Sequence, residues 1–165
     1  MRMVEMIRQE ICYPHLNVKI ACSHGGVTPA NDGASHQCIE DMGILSTIPN
    51  MNVIMPADYY AARKLVRAAA ELPEPVYLRF TRDAVPVIYG PGEEFVIGKA
   101  KLLRDGADAA IIANGDTVCI ALAAAEALAA RGVNARVLDM HTVKPLDTAA
   151  GAAAINDCGK IVTVE

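Results

Sequence analysis

Short apolar runs alternate along this chain with longer segments of helical spacing. Met3, Met6, Ile7 and Ile11 recur near helical spacing, so residues 2–12 read as the back end of a helix with no visible cap. NVKIACS (17–23) is a short run with β-branched residues and predicts a buried strand. A glycine-rich loop follows, then HQCIEDMGILST (36–47) predicts a helix ended near Pro49 and Asn50. NVIMP (52–56) predicts a second strand. Asp58 is placed to cap a helix over YYAARKLVRAAAEL, which Pro73 and Pro75 stop. VYLRF (76–80) predicts a third strand. Strand, helix, strand, helix, strand implies a parallel sheet with crossover helices.

Residues 83–95, DAVPVIYGPGEEF, hold two prolines and two glycines and read as a linker. Beyond it the alternation restarts. Strands are predicted at 108–115, 134–142 and in the closing KIVTVE. Helices are predicted at 116–132, with Gly132 as a stop, and from Asp147 to Gly159. The expected fold class is therefore α/β: two three-layer units with mainly parallel sheets, residues 1–82 and 96–165. Both ends fall inside predicted elements, so each unit reads as incomplete.

Composition narrows the function. The 165 residues are 53% hydrophobic, ample for a core, and carry a formal net charge of −4. Aromatics are 4% and tryptophan is absent, so no stacking platform for single-stranded nucleic acid exists. The mild acidity with no basic run argues against a phosphate-backbone binder. No apolar stretch approaches the ~20 residues of a membrane span. Cys12, Cys22, Cys38, Cys119 and Cys158 are scattered and odd in number, and no pair forms CxxC. They read as reduced small hydrophobes of a cytoplasmic protein, with no metal site expected.

The chemistry concentrates in ACSHGGVTPANDGASHQCIEDMG (21–43). A parallel strand ending at Ser23 delivers His24 to the carboxyl edge of a sheet, where α/β proteins bind ligands. Asn31-Asp32-Gly33 is a second turn presenting a carboxylate, and Ser35 is placed to cap the following helix at His36. From spacing alone, two readings stand: one pocket shared by His24, Asp32 and His36, or turn and cap residues beside solvated histidines.

The stretch SHGGVTPANDGASHQCIEDMGILSTIPNMNVIMPADYYAA resembles the pyrimidine-binding domain of transketolases. It carries Ser-His, Asp-Gly-x-Ser-His-Gln, Pro-Asn-Met and Pro-Ala-Asp in the family's order. The likeness continues through PVYLRFTRDAVPVI into KPLD and KIVTVE, which resemble the transketolase C-terminal domain. It implies two-carbon ketol transfer between sugar phosphates, dependent on thiamine diphosphate and Mg²⁺. By this resemblance His36 is the catalytic residue beside the cofactor's reactive carbon, a role that suits a side chain titrating near working pH. Asp32 matches a contact to a substrate hydroxyl, and His24 and Arg82 match ligands of the sugar phosphate. Arg79, three before Arg82 on a strand, reads as a solvated or interface arginine. Gln37 and Glu40 read as helix-start residues.

The departures shape the expectation. Ala30-Asn31 replaces the family's common Gly-Glu, no segment resembles the cofactor-activating GIAEQN, and the Gly-Asp-Gly diphosphate motif is absent. The chain is therefore expected to be inactive alone, to bind cofactor only with a partner or further segments, and to join an N-terminal transketolase section and a homo-oligomer. Two alternatives remain: a fragment similar to 1-deoxyxylulose-5-phosphate synthase, which tends to carry Arg where His24 stands, or a non-catalytic assembly module.

Overall fold

The computed structural model describes residues 2–165 and forms two four-stranded sheets with flanking helices. The first has the order β1 (Lys19–Cys22), β3 (Val76–Arg79), β2 (Asn52–Ile54), β7 (Thr142–Lys144). The second has the order β4 (Lys101–Arg104), β6 (Ala135–Asp139), β5 (Ala109–Ala113), β8 (Ile161–Val164). The sheets are mainly parallel, as expected, but β7 runs antiparallel to β2 and β4 antiparallel to β6.

Among the described residues five α-helices flank them. α1 (Val4–Met6) continues through π-helical turns over Ile7–Cys12. α2 is Asp41–Thr47, α3 Tyr59–Glu71, α4 Thr117–Ala129 and α5 Thr148–Cys158. None of the described helices is long and apolar enough to cross a membrane.

Local chemistry accounts for most of these boundaries. α3 buries Ala61, Leu65 and Ala69, a single stripe at four-residue spacing. It begins where the Asp58 carboxylate accepts from Ala61 N at 2.8 Å and ends where Leu72 turns extended ahead of Pro73. α5 starts the same way, with Asp147 accepting from Ala150 N, and stops at Gly159 in the left-handed region, φ 67°.

Two expectations need correction. The strand predicted over 134–142 is broken: β6 ends at Asp139 and the chain then crosses to the other sheet as β7. At the crossing Met140 N donates to Ala113 O in the second sheet and Met55 N donates to His141 O in the first. A continuous apolar pattern cannot reveal that its two halves pair with different partners. The helix predicted from His36 begins at Asp41 instead, with Glu40 at its N-cap and no side-chain cap. Ser35 is not a cap; its hydroxyl bonds to His36 Nδ1 and Asp32 O. Cys38 is held in isolated bridges to Gly25 and Gly26, which keeps residues 36–40 from coiling.

One core spans both sheets. Ile54, Leu65, Val76 and Leu78 pack in the same buried cluster as Ile111, Val118 and Val137. Residues 83–95 contribute Tyr89 and Phe95 to it, with ring centroids 4.9 Å apart edge to face. That segment is fastened by Asp58, whose second carboxylate oxygen accepts from Ile88 N and Tyr89 N at 2.9 and 2.8 Å. Asp58 thus joins helix capping to the docking of this strap. Asp58→Ala is expected to lower stability by about 2–3 kcal/mol, one cap plus charge-assisted bonds. Urea unfolding checks this; a loss below ~0.5 kcal/mol would mean water replaces the carboxylate at no net cost.

Candidate functional site

The glycine-rich loop leaves the carboxyl end of β1 and lies against the segment leaving β3. Gly25 N donates to Phe80 O at 3.1 Å, and Phe80 N donates to Cys22 O at 2.8 Å. Thr28 ties the loop further: its hydroxyl donates to Gly25 O at 2.8 Å and accepts from Arg82 N at 3.2 Å. Parallel pairing of β1 with β3 therefore brings residues 24–36 beside Arg82, about fifty positions away in sequence.

Asp32 and Arg82 meet directly, Nη1 to Oδ2 at 3.3 Å, and the same Nη1 donates to Pro29 O. Their side chains are 33% and 38% exposed, so the pair is wet and easily exchanged for another partner. His24 and His36 do not touch each other or this pair by hydrogen bond. Each instead bonds its own preceding serine through Nδ1 at 2.9 Å, Ser23 with His24 and Ser35 with His36. His24 sits at φ 65°, a left-handed conformation that costs a non-glycine residue roughly 1–2 kcal/mol. Both Nε2 atoms are left for an incoming group. Among the described residues no group of three or more His, Cys, Asp or Glu is arranged to hold a metal ion.

Beneath the loop lies a cluster that sequence reading missed. Arg79 is only 7% exposed, not solvated as expected. Its Nε lies 3.1 Å from Asp41 Oδ2, its Nη2 donates to Cys38 O at 3.1 Å, and its Nη1 rests 3.3 Å from the sulfurs of Met42 and Met55. Tyr77 Oη donates to the same Asp41 oxygen at 2.5 Å. Burial and this carboxylate together push the Tyr77 hydroxyl well above its ordinary pKa. Every residue of β3 is buried, so strand alternation does not assign an outward face to Arg79. The available signal was the RxxR spacing of Arg79 and Arg82 at a strand end.

Arg79, Gly25, Gly26 and Thr28 line one side of a cavity of about 290 Å³. Its other side is the start of α4, through Asp116, Thr117 and Ile120. The two imidazoles, Asp32 and Arg82 lie outside this lining; Asp32, His36 and Arg82 are exposed and His24 is half-buried.

Similarity to known proteins runs along almost the whole chain. Residues 1–87 match the family described as transketolase, pyrimidine binding domain, and residues 98–165 match transketolase, C-terminal domain. An apulose-4-phosphate transketolase subunit of Phocaeicola vulgatus is 44% identical over 165 residues, 99% of this chain and 53% of that protein. A 6-deoxy-6-sulfo-D-fructose transketolase subunit of Clostridium sp. is 38% identical over 164 residues, 99% of this chain and 51% of that one. A solved structure described as a split gene transketolase, inactive beta4 tetramer, superposes with a TM-score of 0.92 at 42% identity, over 99% of this chain and 53% of that chain. The chain thus spans about half the length of the curated relatives it matches. With both family descriptions matched in order along a fold of the same shape, the chain belongs to the transketolase family.

Proposed function

We propose that the chain is the sugar-phosphate-facing part of a transketolase divided between polypeptides, transferring a two-carbon ketol unit between sugar phosphates. The observation that carries this reading is the meeting of Asp32 with Arg82 on the loop bearing His24 and His36. A guanidinium at the rim is a fork for a phosphate. Its present partner is one-third exposed, so an arriving phosphate displaces Asp32 at little cost, and the freed carboxylate accepts from a sugar hydroxyl. His24 joins Arg82 at the phosphate. His36, with Nδ1 engaged by Ser35, offers Nε2 to take and return a proton.

Thiamine diphosphate, when bound, supplies the electron sink for carbon–carbon bond cleavage. His36, Asp32 and Arg82 are exposed, His24 is half-buried, and the four do not enclose such a group. They fit one wall of its site, with the diphosphate and Mg²⁺ held by another polypeptide or segment. Relatives named as transketolase subunits, and a solved relative described as split-gene and inactive as a beta4 tetramer, support a two-part enzyme. The sugars in their names differ, one a phosphorylated and one a sulfonated ketose, so the substrate is left at the level of a ketose with an anionic end. On this reading the protein works in the cytoplasm, as a homo-oligomer joined to an N-terminal transketolase section, with residues 1–82 and 96–165 as its two units, which share one core and are laced together by β7.

Native mass spectrometry of the protein from its source is expected to show it with a second polypeptide and bound thiamine diphosphate. In that complex His36→Ala is expected to lower kcat by about 10²–10⁴-fold. Full ketol transfer by the isolated chain, or a complex indifferent to His36→Ala, would sink the proposal.

A further inference from the structure

We infer that Arg79 is the positioning residue that holds the His24 turn and the His36 segment in one fixed arrangement. The inference rests on reading those two histidines as site residues. The Cys38 carbonyl, two residues beyond His36, accepts from Gly26 N at 2.7 Å and from Arg79 Nη2 at 3.1 Å. Gly26 lies two residues beyond His24. One carbonyl therefore joins both histidine-bearing segments, and Arg79 is the side chain that fixes it.

The loop is moulded to the guanidinium. A Cβ on Gly25 would collide with Arg79 Nε and lie 2.8 Å from Cζ; one on Gly26 would lie 3.2 Å from Nη2. Gly26 also has φ 67°, close to the left-handed His24 at φ 65°. A strained backbone of this kind persists only where its surroundings over-determine it. Arg79 is hemmed in: the Asp41 carboxylate lies 3.1 Å from Nε as an ion-pair partner, Tyr77 holds Asp41, and two methionine sulfurs face Nη1. The planar fork serves Asp41 and Cys38 at once. A lysine keeps the charge opposite Asp41 but has no second arm for the carbonyl.

The test uses the whole 165-residue chain without sugar or cofactor, so it succeeds or fails independently of the transfer reaction. Amide hydrogen exchange is read at Gly26 and, as the gauge of the core, at Ile111 and Leu65. Imidazole ¹⁵N signals are read for His24 and His36. Arg79→Lys is expected to speed exchange at Gly26 by about tenfold, the loss expected when one bond near ~1.4 kcal/mol no longer orders the turn. Both imidazole signals are expected to move, while Ile111 and Leu65 hold their protection. If the lysine variant loosens the core as well, Arg79→Met with Asp41→Asn decides, since no charge is then buried alone; the same loosening confined to the loop is expected. Unchanged Gly26 exchange and unchanged imidazole signals in a folded variant overturn the inference. So does loosening in the double variant that is uniform across loop and core, because Arg79 is then a core residue and nothing more.

Discussion

Asp41→Ala is expected to destabilise the protein by about 3–5 kcal/mol, more than the loss of any exposed charge. Asp41 is 2% exposed, and one of its oxygens holds both Tyr77 Oη and the Arg79 guanidinium. Removing it strands a cation that is itself buried, with two thioethers and one carbonyl left around it. Desolvation without a counter-charge is the costly half of a buried ion pair. Adding Arg79→Met to Asp41→Ala is therefore expected to recover much of the loss, because the cation goes with its partner. The check is a double-mutant cycle by urea unfolding. Additive losses would show that the two side chains do not depend on one another.

The second large effect is a dependence on pH set by Asp139. Its carboxyl is completely buried, accepts from Tyr89 Oη at 2.6 Å, and leaves Oδ1 without a donor among the described residues. Burial lifts its pKa from the ordinary 3.8 to about 7; the Tyr89 bond works against this, the charge of Asp58 adds to it, and Lys101 subtracts. Between about pH 4 and pH 7 the folded protein holds a proton that the unfolded chain has released. The stabilisation is therefore fully present below about pH 4, falls as pH rises through that window, and is gone above about 7. At about 1.36 kcal/mol per pH unit it amounts to ~4 kcal/mol.

His141, also fully buried, acts in the opposite sense. Burial first, and Lys101 next, push its imidazole from 6.5 down to about 4. Its contribution is present above about 6.5 and lost as pH falls through about 4, so the two groups nearly offset each other in the wild type. Asp139→Asn exposes the effect, since the amide still accepts from Tyr89. Relative to this variant, the wild type is expected to lose about 4 kcal/mol of unfolding free energy between about pH 4 and pH 8. A constant difference across that range would mean that Asp139 keeps one protonation state throughout.

Both residues show where reading the chain falls short. Asp139 and His141 lie in NARVLDMHT, which reads as one strand, yet the chain changes sheets between them. The polar residues at that step look like ordinary strand positions because their burial comes from Tyr89 and Phe95, about fifty residues earlier. Arg79 is a parallel case. Its sequence neighbours imply a surface arginine, and only Asp41, at the start of α2, makes a buried one tolerable. The helix expected from His36 fails for a related reason: the Cys38 carbonyl is claimed by Gly26 and Arg79 before a helix can use it.

Most of what short-range physics carries was legible in the chain itself, the Ser35 cap being the exception. The caps at Asp58 and Asp147, the stop at Gly159, the apolar stripe of α3 and the β-branched strands are each settled within a few residues, where hydrogen-bond geometry and side-chain period act. The family, too, was legible, because its motif is a run of neighbours. Pairing across distance emerged only on folding: β7 beside β2, Arg82 against Asp32, Arg79 beneath Gly25 and Gly26. Those contacts join segments whose local preferences say nothing of each other. They form because burying an apolar sheet face forces particular ends together, and each charge so buried must then find its partner.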